Sequence, residues 1–162
     1  MGEAPTAYPL QWPAGWPRTG GRESSRFKAT LAGALKELQD EVRLLGGAGM
    51  VLSSNVTLGR ERPADPGVVA YFFFEKQQVA VPCDRWHLVQ DNVKAIALTI
   101  NAMRGMERWG AKHMIRAMFQ GFRALPAPET DWRALLGSPR TLAEAEALSA
   151  PPAPPESPHA AR

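Results

Sequence analysis

Apolar residues recur at spacings of three and four from Leu31 through Leu35, Leu38, Val42 and Leu45, which predicts an amphipathic helix over residues 30–45, stopped by Gly46 and Gly47. Residues 50–58 are then apolar and β-compatible and read as a strand, and residues 59–67, with Pro63 and Pro66, read as an exposed loop. Two nearly continuous apolar runs follow, 68–74 and 79–83, on either side of the polar Glu75, Lys76 and Gln77, the pattern of a hairpin. Asp84 is placed to cap a second helix carrying Trp86, Val89, Val93, Ile96, Ala97, Ile100 and Met103 and ending near Gly105. Ala111, Met114, Ile115, Met118, Phe119 and Phe122 mark a third helix before Pro126, with Met114, Ile115, Met118 and Phe122 expected to face the core. The order α-β-β-β-α-α predicts an α+β fold, a small three-stranded, mostly antiparallel sheet packed by helices.

The flanks differ in composition. Residues 1–25 hold Pro5, Pro9, Pro13 and Pro17 among Gly15, Gly20 and Gly21, which excludes a helix or a central strand and makes this stretch an arm. Its Tyr8, Leu10, Trp12 and Trp16 are too heavy an aromatic load for a solvated linker, so part of it is expected in a groove of the domain. The globular domain is expected over 26–125, a further helical segment over 126–149, and a disordered tail over 150–162, where Pro151, Pro152, Pro154, Pro155 and Pro158 leave only extended backbone. With 162 residues, 44% apolar and 22% charged, the chain is ordinary globular material for one compact domain, not fibrous, collagenous or wholly disordered. No apolar run approaches the roughly 20 residues of a membrane-spanning helix. Prolines are scattered over residues 1–22, where a signal peptide would be apolar, so the expectation is a cytoplasmic protein away from membranes. Cys83 is the single cysteine and cannot form a disulfide within the chain.

The net charge is +3 and the pI near 9.4, a weak basicity compatible with an acidic partner. Its distribution says more. Arg104, Arg108, Lys112 and Arg116 recur with only Glu107 opposing them, and Trp86 and Trp109 each follow an arginine at the two ends of the second predicted helix. One reading is a solvated charged face, with both rings closing the core at the helix ends. The other is an aromatic and guanidinium surface that stacks bases of single-stranded nucleic acid or grips a protein partner. On that second reading the binding residues are Arg85, Trp86, Arg104, Arg108, Trp109, Lys112 and Arg116. The methionines at 103, 106, 114 and 118 fit an adaptable protein-binding face or a core equally well.

Enzymatic patterns are sparse. His87 and His113 have no cysteine or carboxylate beside them at metal-ligand spacing, so no metal and no cofactor is expected. Cys83 and His87 could pair as nucleophile and base, but neither an oxyanion-forming glycine loop nor a third orienting residue accompanies them. Gly46-Gly47-Ala48-Gly49 lies between a helix and a strand, the wrong order for a phosphate or dinucleotide loop. Asp84, Asp91 and Glu107 are expected to cap helices or pair with Arg85, Arg104 and Arg108, and the chain is expected to have no catalytic residues.

Residues 9–137 resemble a family of small phage and prophage-associated proteins described as DnaJ-like, or J-domain-containing. The resemblance is carried by Pro9-Leu10-Gln11-Trp12-Pro13, Gly15-Trp16-Pro17-Arg18-Thr19, Ser25-Arg26-Phe27-Lys28, Asp65-Pro66-Gly67-Val68, Cys83-Asp84-Arg85-Trp86, Asp91-Asn92 and Arg104-Gly105-Met106-Glu107-Arg108-Trp109-Gly110. That family carries this module first and a J domain second. Asp131-Trp132-Arg133-Ala134-Leu135-Leu136-Gly137 looks like the opening helix of a J domain, and Thr141-Leu142-Ala143-Glu144-Ala145-Glu146-Ala147 like the start of the next. The His-Pro-Asp loop with which a J domain stimulates its chaperone ATPase does not follow; His159 precedes Ala160 and Ala161. What the resemblance implies is a non-enzymatic interaction module of a mobile element, with a protein partner and no chaperone stimulation. Two alternatives are a single-stranded nucleic-acid-binding accessory protein and a phage-encoded inhibitor docking on a host complex such as a defence system.

Overall fold

The computed structural model describes residues 4–122; the segments expected at 126–149 and 150–162 lie outside them. Helix α1 spans Leu31–Leu45 and is capped by the Thr30 hydroxyl, which accepts from the Gly33 N–H at 3.1 Å. It ends in a Schellman turn in which Gly46, at φ 96°, donates its N–H to the Arg43 carbonyl and Gly47 donates to Val42. Gly47 is needed for space: a Cβ there would stand 2.7 Å from Val42 Cγ1 and 2.9 Å from Phe72 Cδ2, where helix and sheet close together. Strand β1, Ala48–Ser54, begins earlier than the 50–58 expected. Its register against the next strand shifts between Ala48 and Val51, where Gly49 takes φ 63° as a bulge, and residues 55–58 leave the sheet.

Strands β2, Val68–Phe74, and β3, Gln77–Cys83, form the expected hairpin, and the sheet runs β1-β2-β3, antiparallel throughout. The turn is shorter than expected: only Glu75 and Lys76 lie outside the strands, at φ 48° and 65°, and Gln77 pairs with Phe74. Left-handed backbone at both central residues matches the right-handed twist of the flanking strands. The continuous apolar run of β2 is explained by burial on both faces. Val68, Ala70 and Phe72, with Val79 and Val81 of β3, belong to the main core together with Leu38 and Val42 of α1, Val93, Ile96 and Ile100 of α2, and Ile115 and Phe119. Val69, Tyr71 and Ala80 face the other way and are covered by Leu10 and Trp12 of the arm.

The arm is therefore a third layer. Gln11 donates its N–H to Ser53 Oγ at 2.8 Å and accepts from the Tyr71 hydroxyl at 2.6 Å, and Leu10 donates to Asn55 Oδ1 at 3.0 Å. The outer edges of the sheet are engaged as well: the Ser54 N–H goes to the Ala7 carbonyl at 2.9 Å and the Ala80 N–H to that of Phe122 at 2.9 Å. Trp16 stacks flat on Phe122, 5.4 Å between centroids, so the arm also touches the end of the third helix.

Helix α2 is Val89–Arg108, and here the expected cap is corrected: Asp84 caps no helix. Its side chain is 8% exposed and is engaged by Arg18 Nε at 2.9 Å and by the Thr19 N–H, so residues 84–88 run along the arm before the helix starts. Glu23 accepts from the His87 N–H and donates to the Arg85 carbonyl. Asn92, wholly buried, fixes this passage by accepting from the Trp86 N–H and donating to the carbonyls of Pro66 and Trp86. Helices α1 and α2 run in the same sense, since Glu37 pairs with Lys94 and Glu41, one turn on, with Asn101 and Arg104. Helix α3 is Lys112–Gly121.

Candidate interaction surface

The seven basic and aromatic residues expected to form one surface divide into two groups. Arg85 and Trp86 precede α2, whereas the other five lie at its far end or beyond, separated by the length of a 20-residue helix, about 30 Å. The first group holds the arm in place: Arg85 pairs with Glu23 at 2.9 Å, and the half-buried Trp86 ring meets Phe27 edge-on at 5.4 Å. The reading of Trp86 and Trp109 as one shared surface is overturned by this separation, and Trp86 is not on the helix at all.

In the second group most positive charge is met by carboxylates. Arg104 Nε lies 2.8 Å from Glu41 Oε2, with both side chains largely buried, and Arg116 Nε lies 3.1 Å from Glu75 Oε1 in the hairpin turn. Lys112 Nζ stands 3.9 Å from Glu107, a loose and exposed pair. Arg108 has no ion-pair partner among the described residues, although its charge bears on Glu41. The Glu41 carboxyl is held below the ordinary glutamate range, chiefly by the hydrogen bond from Arg104.

Trp109 departs furthest from the expectation that it closes the core. It is the C-cap of α2 and 81% exposed. Its neighbour Gly110, at φ 90°, completes a Schellman turn in which Ala111 donates to Met106 and Gly110 to Glu107, turning the chain sharply into α3. The ring lies beside Gly105, whose Cβ, if it had one, would meet Trp109 Cη2 at 3.5 Å.

The same turn sets the phase of α3. Ile115 and Phe119 are the buried residues, and Phe119 packs among Phe72, Phe74 and Phe122 at centroid distances of 6.2, 4.6 and 5.8 Å. Met114 and Met118, expected inward, are 58% and 36% exposed. Ile115 and Phe119 form the inward stripe, continued past the helix end by Phe122, which packs against the core. Met114 falls about 100° to one side of Ile115 and Arg116 about 100° to the other. Around the α2–α3 corner and along α3, Trp109, Met114 and Met118 are exposed, an aromatic ring and two flexible thioethers, as are Arg108, His113 and, on the flank of α3 opposite the methionines, Lys112. The sequence contained a signal for this, the self-sufficient spacing of 115, 119 and 122.

Reactive side chains elsewhere have structural partners. Cys83 donates its thiol to Asn92 Oδ1 at 3.4 Å, and burial pushes its pKa up, so it stays protonated near neutral pH rather than serving as a thiolate for His87. Among the described residues no three His, Cys, Asp or Glu side chains stand together as a metal site, and no helix is long and apolar enough to cross a membrane. No protein family, curated protein or solved structure matches this chain.

Proposed function

We propose that this chain is a non-enzymatic interaction module, of the kind that precedes the J domain in phage DnaJ-like proteins, and that it meets a protein partner through the α2–α3 corner. The observation that carries this reading is Trp109: a tryptophan 81% exposed at the end of a 20-residue helix contributes little to the fold and is free to contribute to a contact. Met114 and Met118 add exposed, adaptable apolar surface on α3, and the unpaired Arg108 favours a partner with acidic residues at the rim. The reactive side chains support a role without catalysis, because Cys83, Glu41 and Asp84 are each committed to a neighbour that stabilises the fold. Binding of single-stranded nucleic acid draws weaker support, since Arg104 and Arg116 are already paired with Glu41 and Glu75.

The test compares the chain with its Trp109→Ala variant after showing that the two melt alike, as an exposed side chain predicts. Both are immobilised in source-cell lysate and titrated separately with oligothymidylate at two salt concentrations. The expected result is a captured protein whose affinity falls about tenfold or more in the variant, the loss typical of an aromatic anchor. Trp109-dependent, salt-sensitive binding of the oligonucleotide, with protein capture unchanged, overturns it.

A further inference from the structure

Helix α2 is apolar on two opposite faces. Val93, Ile96, Ile100 and Met103 form the row that enters the main core. At about 100° per residue, Leu98, Ala102, Gly105 and Trp109 fall in a second row, about 180° away from the first and turned to solvent. Leu98 is 40% exposed, Ala102 is exposed, and the Trp109 ring lies back beside Gly105, so the row runs for about 16 Å without a gap. The outward face of a surface helix ordinarily carries charged and polar side chains. This row has none.

The polar side chains that flank the row are turned back into the chain. On one flank the Thr99 hydroxyl donates to the Ala95 carbonyl at 2.8 Å. On the other, Asn101 donates to Glu41 Oε1 at 2.9 Å and Lys94 pairs with Glu37. Their hydrogen-bonding capacity is therefore largely met before any partner arrives, and the surface they border is dry. Arg108 ends the second flank, exposed and without an ion-pair partner among the described residues.

We propose that this row receives a helix of the protein partner, laid along α2 with a carboxylate beside Arg108; the inference rests on Trp109 being a point of contact and names the kind of partner that contact fits. Positions 98, 102, 105 and 109 are separated by four, three and four, the spacing at which two helices seat side chains between one another. The small residues at 102 and 105 let the two axes approach closely, while Leu98 and Trp109 close the ends of the contact. An extended peptide would need free backbone donors and acceptors, and those of α2 are spent within the helix. Nucleic acid and an anionic membrane are held by several cations, and this face has only Arg108 free. A second copy of α2 offers Arg108 no free carboxylate, because the flanks of its row carry Lys94, Asn101 and Thr99.

The test uses the full chain in source-cell lysate in two ways. Capture is compared among the wild type, Trp109→Ala, Leu98→Ser, Ala102→Glu and Arg108→Glu, and a photoactivatable diazirine amino acid is placed at position 98 and, separately, at 102 to map the contact by mass spectrometry. Leu98→Ser and Ala102→Glu should melt with the wild type, and each of the four variants should lower affinity for the same protein about tenfold or more. The adducts from 98 and 102, one turn apart, should fall about three or four residues apart in one segment of that protein. Capture that depends on Trp109 but is unchanged by Leu98→Ser and Ala102→Glu overturns the helix and leaves the Trp109 contact standing; capture unchanged by Trp109→Ala overturns both. Adducts on a second copy of this chain, on nucleic acid or on lipid, adducts on alternate residues or scattered over unrelated segments, no adduct, or unfolding of Ala102→Glu each overturn the proposal.

Discussion

Glu41 is a carboxylate almost closed to solvent on the face of α1 that meets α2, and it is tolerated because Arg104 and Asn101 both donate to it. Asn92 solves the same problem with a neutral group, its oxygen accepting from Trp86 and Cys83 and its amide nitrogen donating to two carbonyls. Because the Glu41 pKa is lowered in the folded chain, its charge stabilises the fold above the ordinary glutamate range, and that contribution is lost as the pH falls through the lowered value. Glu41→Gln retains an acceptor for Arg104 but has nothing to protonate. Urea midpoints followed from pH 7 down to about 3 should therefore fall less steeply in Glu41→Gln than in the wild type, across and below the usual carboxylate range near 4. Parallel curves would show that the Glu41 charge contributes nothing to folding.

Each face of α3 has its own task. Phe119, 3% exposed amid three other phenylalanines, is core, whereas Lys112 and Arg116 are exposed on one flank and Met114 and Met118 on the other. Phe119→Ala should cost about 3 to 5 kcal/mol in a denaturant titration. The double change Lys112→Ala and Arg116→Ala should cost about 0 to 1 kcal/mol, since it removes only exposed pairs; the reverse ranking would mean that the helix is turned the other way. The element order, the bounds of α1 and the pairing of β2 with β3 were legible because helical spacing and continuous apolar runs are local signals. The hairpin turn was less so, because Glu75 and Lys76 adopt left-handed backbone without the glycine or asparagine that advertises it. Asp84 resembled a cap by its place before an amphipathic stretch, but its partners Arg18 and Thr19 are more than 60 positions away. The basic residues of the site were visible, and their neutralisation was not: Glu41 is 63 positions from Arg104 and Glu75 41 from Arg116. Separations of that size leave no trace in local periodicity.

Across the described residues the molecule is a three-layer assembly, with helices on one face of the sheet and the proline-rich arm on the other. The arm's prolines deny it regular structure, yet its carbonyls and N–H groups are received by Ser53, Asn55 and Tyr71, so it closes the second apolar face of β2. Among the apolar side chains which that scaffold holds outward is Trp109 at the α2–α3 corner, which contributes little to its packing. The proposed role as an interaction module rests on this corner being covered when the protein is bound. Oxidative footprinting of the captured complex measures that directly, because exposed methionine and tryptophan side chains oxidise quickly and buried ones slowly. Trp109, Met114 and Met118 should oxidise several-fold more slowly in the complex than in the isolated chain, while Met103, 2% exposed, stays slow in both. Equal oxidation rates at all three residues in the free and bound states would contradict it.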